Sequence, residues 1–279
     1  MAMTPHVLIV AGSDSSGGAG IARDVETVSA FGLRSCLALT AVTVQTHAAV
    51  EHVEQLAPEL IAAQMNAAFA ANPVAAIKIG MLGTAAAIEA VRLVLASNRQ
   101  VPVVLDPVLA STSGRVLLEE DAIDALSSDL MPVCRLVTPN LIELATFNGS
   151  ASAPDEKSAC LQGEELSRTL RTAVLVKGGH AQGPQAVDLL LQPDGSAVWF
   201  EAPRLQHGMR GTGCMLASAI AASLALGASL EDSVRSAKQY VFDIIARPQK
   251  PSDRPASRDA NCFDVLRLPL MAGLDSSNR

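Results

Sequence analysis

Val7-Leu8-Ile9-Val10-Ala11-Gly12-Ser13-Asp14-Ser15-Ser16-Gly17-Gly18-Ala19-Gly20 sets a short apolar run directly before a glycine-rich turn. The apolar run, 7–11, has the length and composition of a buried strand. Behind the turn, the segment 20–31 reads as a helix, and Gly32 supplies a residue that can close it. Strand, glycine turn and helix in that order form the first unit of an open parallel sheet.

Outward from this unit the pattern repeats. Strand-like runs at 37–45, 75–79, 101–105, 136–138 and 173–176 alternate with helical segments at 58–71, 85–97, 121–131 and 140–147. Pro58 suits a first helical position and Thr84 a cap. Such alternation predicts an α/β protein with a mostly parallel sheet covered by helices on both faces. After Lys177, runs at 186–191 and 197–201 flank Pro193-Asp194-Gly195, which reads as a hairpin at the far edge. Helices at 214–226 and 231–246 follow, the first ended by Gly227 and the second capped by Ser229. The only linker-like internal stretch, 148–158, is too short to divide domains. One domain is therefore expected over 1–279, with its core at about 7–246 and a weakly ordered Pro-, Ser-, Asp- and Arg-rich tail at 247–279.

The chain has 279 residues, of which 49% are hydrophobic, enough to build a large core without disulfide staples. Aromatic residues make up only 3%, and the net charge is -7, so neither stacking platforms nor a basic footprint for nucleic acid is present. The expected partner is a small molecule, with no nucleic acid and no membrane. Five cysteines, Cys36, Cys134, Cys160, Cys214 and Cys262, lie far apart without metal-ligand spacing, which points to a reduced, cytoplasmic protein. The run 7–11 is too short and too poorly flanked for a signal peptide. The most apolar segment, 215–227, is interrupted by Ser218 and Ser223 and reads as a buried helix, not a membrane span.

Polar residues gather where strands end, the place where open parallel sheets bind ligands. The 12–20 run and Gly211-Thr212-Gly213-Cys214 both precede helices, whose N-terminal N–H groups favour anions. The first run lacks G-x-G-x-x-G spacing, and no Gly-Lys-Ser/Thr occurs, so neither a dinucleotide fingerprint nor a P-loop is present. Taken alone, the first run serves equally well as a tight connection. Cys214, at the start of an apolar helix, has a thiolate favoured by the dipole, or else is a small buried cap residue. Asp106 follows a strand. Asn140 and Glu143, three residues apart, share one face of a starting helix. Together these oxygens suit hydrated Mg²⁺, although Asp106 also reads as part of a turn and Asn140 as a helix cap. Lys177, before Gly178-Gly179, is placed to reach a phosphate.

Seven motifs then occur in order: the glycine run from Gly12 to Ile21, Thr40-Ala41-Val42-Thr43-Val44-Gln45, Ile77-Lys78-Ile79-Gly80-Met81-Leu82, Val104-Leu105-Asp106-Pro107-Val108, Thr138-Pro139-Asn140 with Glu143, Lys177-Gly178-Gly179-His180 and Gly211-Thr212-Gly213-Cys214. From about Val7 to about Ala246 the sequence resembles the hydroxymethylpyrimidine/phosphomethylpyrimidine kinases of thiamine biosynthesis, members of the ribokinase-like superfamily. The resemblance implies a three-layer α/β/α ribokinase-like fold. It also implies ATP- and Mg²⁺-dependent phosphorylation of 4-amino-5-hydroxymethyl-2-methylpyrimidine and then of its monophosphate. On the matching positions, Gly12, Asp24, Gln45, Met81 and Val108 would meet the pyrimidine. The Gln45 amide offers the donor and acceptor that an aminopyrimidine edge needs. Asp106, Asn140 and Glu143 would face Mg²⁺ and ATP phosphates, with Lys177 and Thr212 also at the nucleotide. Gly211, Gly213 and Cys214 would form the anion hole, where Cys214 takes or relays the hydroxymethyl proton.

Two positions are this chain's own. Arg210 precedes the anion loop where the family usually has histidine, and it either adds a phosphate contact or points to solvent. Met215 stands where a hydroxyl residue is common. A pyridoxal-type kinase of the same fold, or a non-catalytic pyrimidine-binding protein, is the alternative. A homodimer is in keeping with the superfamily.

Overall fold

Strand β1 (His6–Asp14) runs three residues past its apolar core, so Gly12 lies inside the strand, and helix α1 (Gly20–Ala30) follows. The computed structural model describes residues 4–179, 183–205 and 209–247. His180, His207, Gly208, Cys262 and the tail beyond Arg247 lie outside the described residues. The chain divides into a compact unit, Met1–Arg247, and a second, Pro248–Arg279, wholly outside the described residues.

In chain order come β2 (Arg34–Gln45), β3 (Val50–Gln55), α2 (Pro58–Ala71), β4 (Val74–Ile79), α3 (Ala85–Ala96), β5 (Val103–Leu105), α4 (Glu120–Ala125), β6 (Leu136–Val137) and α5 (Leu141–Phe147). Then follow α6 (Glu156–Leu170), β7 (Ala173–Lys177), β8 (Gln185–Leu191), β9 (Ala197–Pro203), α7 (Thr212–Ala225) and α8 (Leu230–Ala246). Among the described residues the strands form one sheet in the order β3-β2-β1-β4-β5-β6-β7-β8-β9. From β2 to β7 the pairing is parallel, with Leu8 between Cys36 and Ile77, and β3, β8 and β9 are antiparallel. The parallel strands therefore share one carboxyl end.

Alternation along the strands makes two cores. Leu8, Val10, Ile77 and Ile79 pack with Ile61 and Met65 of α2 and Ile88 and Val91 of α3. Val7, Ile9, Ala76 and Val104 face the other way, onto α1, α7 and α8. The result is the three-layer ribokinase-like α/β/α architecture expected. Each fully buried Leu, Ile or Met contributes roughly 1.5–3 kcal/mol, so both faces are strongly held. Helix α7 is unusual in that every side chain from Met215 to Ser223 is buried. Its alanines, Ala217, Ala219, Ala221 and Ala222, let it lie close to the sheet and to its neighbours.

The caps agree with the sequence: Thr84 accepts from Ala87 N–H, Ser229 from Asp232 N–H, and Gly32 and Gly227 adopt positive φ past their helices. Three features differ from it. Edge strand β3 carries Glu51, His52 and Glu54 toward solvent, so no apolar run announces it. Helix α6, capped by Asp155, buries only Ala159, Gly163, Leu166, Ser167 and Leu170, a stripe of few large apolar residues inside a polar segment. The helix expected at 121–131 stays α-helical only to Ala125, then widens into a π-turn over Leu126–Leu130 and a 3₁₀ turn over Met131–Val133. Pro132 there has no N–H for the carbonyl four residues back. No helix among the described residues is long and apolar enough to cross a membrane.

Candidate active site

A cleft of about 500 Å³ opens at the carboxyl end of the parallel strands. Twelve of the thirteen residues anticipated for the site line it: Gly12, Gln45, Met81 and Val108 in one part, and Asp106, Asn140, Glu143, Lys177 and the four residues Gly211-Thr212-Gly213-Cys214 in another. In the first part, Gly12 lies close against Met81, since a Cβ at position 12 would stand 3.2 Å from Met81 Sδ. Ser15 Oγ donates to Gln45 O and accepts from Gln45 N–H, both at 2.8 Å, fixing the end of β2. Thr43 Oγ1 donates its proton to Ser13 O at 2.7 Å and stands only 3.3 Å from Gln45 Oε1, so the Gln45 amide has both an acceptor and a donor to offer.

In the second part, Gly211 is the N-cap of α7 at φ 75° and supplies no side-chain cap. A Cβ there would run into Gly18 O, so only glycine lets the two loops meet. The first N–H groups of α7 therefore have no intrahelical acceptor and point into the cleft end, a place suited to phosphate oxygens. Beside them, Lys177 Nζ donates to Asp106 Oδ1 at 2.6 Å and lies 3.9 Å from Glu143 Oε2. Burial alone would lower the Lys177 pKa, but Asp106 and Glu143 reverse the effect and hold it above its ordinary value. Burial raises Glu143 to about 7 against the pull of Lys177.

Asn140 and Glu143 form a reciprocal capping box. Asn140 Oδ1 accepts from Ile142 and Glu143 N–H at 2.9 Å, and Glu143 Oε2 accepts from Asn140 N–H at 2.8 Å. Both readings of Asn140 thus meet in one residue: it caps α5 and lines the cleft. Asp106 Oδ1 is taken by Lys177, while Oδ2 faces Gly213, 3.4 Å from where a Cβ would stand. Among the described residues no three His, Cys, Asp or Glu side chains are grouped to hold a metal unaided. The donor set is one partly free carboxylate with further engaged oxygens behind it. It fits Mg²⁺, which keeps several waters and shares itself with substrate phosphates.

Asp24, expected at the pyrimidine, does not line the cleft. The register of α1 turns it toward the sheet with Thr27 and Val28, and it is completely buried. There Asp24 Oδ2 accepts from Lys78 Nζ at 2.7 Å and Oδ1 from Ser218 Oγ at 2.8 Å. Lys78, also fully buried, is kept protonated: burial pushes its pKa down, and Asp24, together with Asp106, pushes it back above the ordinary value. The sequence offers one signal for Lys78, a lysine inside an otherwise apolar strand, which persists only if paired.

Cys214 is the third residue of α7, and its thiol is pushed up to about 11 by burial, with Lys78 pulling the other way. The thiolate anticipated from the helix dipole is thus not the resting form. Arg210 neither reaches solvent freely nor waits unpaired: its guanidinium bonds Asp14, Ser16 and Thr46. On the far side, Pro203, Leu205, Val241 and Phe242 form an apolar wall that no motif pointed to.

An uncapped helix N-terminus, a lysine and carboxylates gathered at the strand ends beside an apolar pocket make a site suited to a phosphate-bearing small molecule. The family model described as phosphomethylpyrimidine kinase matches residues 14–255, and the chain belongs to that family. The hydroxymethylpyrimidine/phosphomethylpyrimidine kinase of Rhizobium meliloti is 43% identical over 245 residues, covering 88% of this chain and 91% of that protein. The thiamine biosynthesis bifunctional protein ThiED of Geobacter sulfurreducens is 40% identical, over 87% of this chain and 49% of that longer protein. Among solved structures, the pyridoxal kinase from Staphylococcus aureus in complex with AMP-PCP and pyridoxal overlays with a TM-score of 0.81 at 28% identity, covering 90% of this chain and 91% of that one.

Proposed function

We propose that this kinase transfers the γ-phosphoryl group of ATP to the hydroxymethyl oxygen of 4-amino-5-hydroxymethyl-2-methylpyrimidine, and then phosphorylates the monophosphate to the diphosphate used in thiamine synthesis. The observation that carries it is the meeting, in one cleft, of a Gln45-lined acceptor pocket with the uncapped start of α7 and Lys177. The name of the Rhizobium meliloti relative supports the same two acceptors, and that of the Geobacter sulfurreducens relative the link to thiamine.

Phosphoryl transfer needs positioning and charge stabilisation more than covalent chemistry from the protein. Gln45 orients the aminopyrimidine edge while Gly12, Met81 and Val108 receive the ring. The N–H groups at Thr212, Gly213 and Cys214 and the Lys177 ammonium stabilise charge on the transferred group. Asp106, Asn140 and Glu143 would hold Mg²⁺, which would neutralise phosphate charge. Cys214, protonated at rest, acts as a relay: the alcohol proton moves to sulfur as the thiol proton moves to a phosphate oxygen. The apolar wall of Pro203, Leu205, Val241 and Phe242 suits the nucleotide base.

The unit Met1–Arg247 works as a single kinase domain. The described cysteines, Cys36, Cys134, Cys160 and Cys214, are free thiols, in keeping with the cytoplasm. Val42 and Val44 leave 47% and 50% of their surface exposed on β2, which suits burial against a second copy. A homodimer is expected by light scattering, and a monomer at micromolar concentration would exclude it.

The overlay with pyridoxal kinase is consistent with a second reading, a pyridoxal-type kinase, without favouring it. An ADP-release assay with each acceptor separates them. Turnover of hydroxymethylpyrimidine is expected, abolished by EDTA and restored by Mg²⁺. Turnover of pyridoxal alone would transfer the assignment to the second reading, and acceptor binding without ADP release would remove catalysis altogether.

A further inference from the structure

Arg210 stands immediately before Gly211, but its side chain reaches away from the nucleotide side and into the mouth of the acceptor pocket. Nη1 donates to Thr46 O at 3.0 Å and Ser16 Oγ at 3.2 Å, and Nη2 donates to Asp14 Oδ2 at 3.3 Å. Thr46 follows Gln45, and Asp14 ends β1 two residues after Gly12, so the guanidinium is tied to both strands that carry the acceptor pocket. Arg210, Asp14 and Gln45 all line the cleft. These contacts use three of the five guanidinium N–H donors.

The charge at this mouth matters differently to the two acceptors. Only 3% of the Asp14 side chain is exposed, and Ser16 N–H and Oγ satisfy its Oδ1. Without Arg210, Asp14 would be a weakly screened negative charge beside the path of the reacting group. A neutral alcohol would feel little of it. An acceptor monophosphate, carrying between one and two negative charges at neutral pH, would be repelled.

We propose that Arg210 is a specificity-determining residue that admits the anionic monophosphate as acceptor, cancelling Asp14 and offering its remaining donors to the acceptor phosphate. The proposal rests on the two-step reaction above and assigns Arg210 to the second transfer more than the first. Its chemistry is that of a guanidinium with a phosphate, for which a planar fork is well suited.

The test is steady-state kinetics with the alcohol and the monophosphate as separate acceptors, in wild type, Arg210→Gln and Arg210→Lys. In Arg210→Gln the monophosphate KM is expected to rise about 10–100-fold, the loss of charge-assisted hydrogen bonds. The alcohol KM should rise only severalfold, as the loops loosen. Arg210→Lys should recover part of the monophosphate KM, and added salt should raise that KM in wild type more than in Arg210→Gln. An equal KM rise for both acceptors, or a fall confined to kcat, would reduce Arg210 to a loop clamp and overturn the proposal. Should Arg210→Gln fail to fold, Asp14→Asn gives a second measurement: releasing Arg210 from its partner should lower the monophosphate KM, and no change or a rise would overturn the proposal. Wild-type enzyme that turns over neither acceptor defeats the two-step reaction itself, whereas turnover without an acceptor-dependent effect defeats only the role of Arg210.

Discussion

Lys78→Met is expected to lower the free energy of unfolding by about 3–5 kcal/mol, because it strands a buried carboxylate. Asp24 and Lys78 are both completely inaccessible, and among the described residues their 2.7 Å contact is the one ion pair Asp24 makes, with Ser218 giving a further hydrogen bond. Methionine fills the same space and leaves the packing of β4 intact, so the loss reports the charge. Replacing both partners, as Lys78→Met with Asp24→Leu, should recover most of the stability, because an apolar pair of similar volume removes the desolvation cost of each ion. Urea midpoints with unchanged slopes would record both effects. A loss below about 1 kcal/mol in the single variant would show that Asp24 finds other compensation.

Cys214→Ala is expected to reduce kcat on the alcohol by about 10²–10⁴, the range for removing a proton-transfer group, with little change in KM. Cys214→Ser should keep part of the rate, since a hydroxyl also passes protons. Unimpaired phosphorylation of the alcohol by Cys214→Ala would remove the residue from this role. The relay, as distinct from a thiolate base, has its own signature. With the thiol at about 11, about one molecule in a thousand is ionised at pH 8. Iodoacetamide should therefore label the Cys214 peptide slowly at pH 8 and about tenfold faster per pH unit up to 11. Rapid labelling at pH 7 would instead identify a resting thiolate.

The sequence and the structure part company in instructive places. Strands with apolar runs, helix caps such as Thr84 and Ser229, and the glycine loops were legible because local chemistry alone determines them. Strand β3 and helix α6 were not, because an edge strand and a helix with few large apolar residues carry weak periodic signals. In the site, motif order located the residues of the cleft but not what each side chain touches. Motif position alone puts Asp24 at the pocket, because it does not reveal which way a helix faces, and the fold buries it against the sheet. The motif around Lys78 does not reveal its task, since its partner Asp24 is 54 residues away in sequence. The partners of Arg210, on loops around Asp14 and Thr46, are likewise brought near only by the folded sheet.

Helix α7 sets a limit on how this enzyme can change. With nine successive side chains buried, it has no solvent-facing side along that stretch into which added volume could escape. Enlarging Ala217 or Ala221 would displace the helix as a rigid rod, and its leading end is the anion loop. Structural drift and thermostabilising repacking should therefore be easier on the α2 and α3 face, while the α7 face transmits even a methyl group's worth of crowding to the place where phosphate is held.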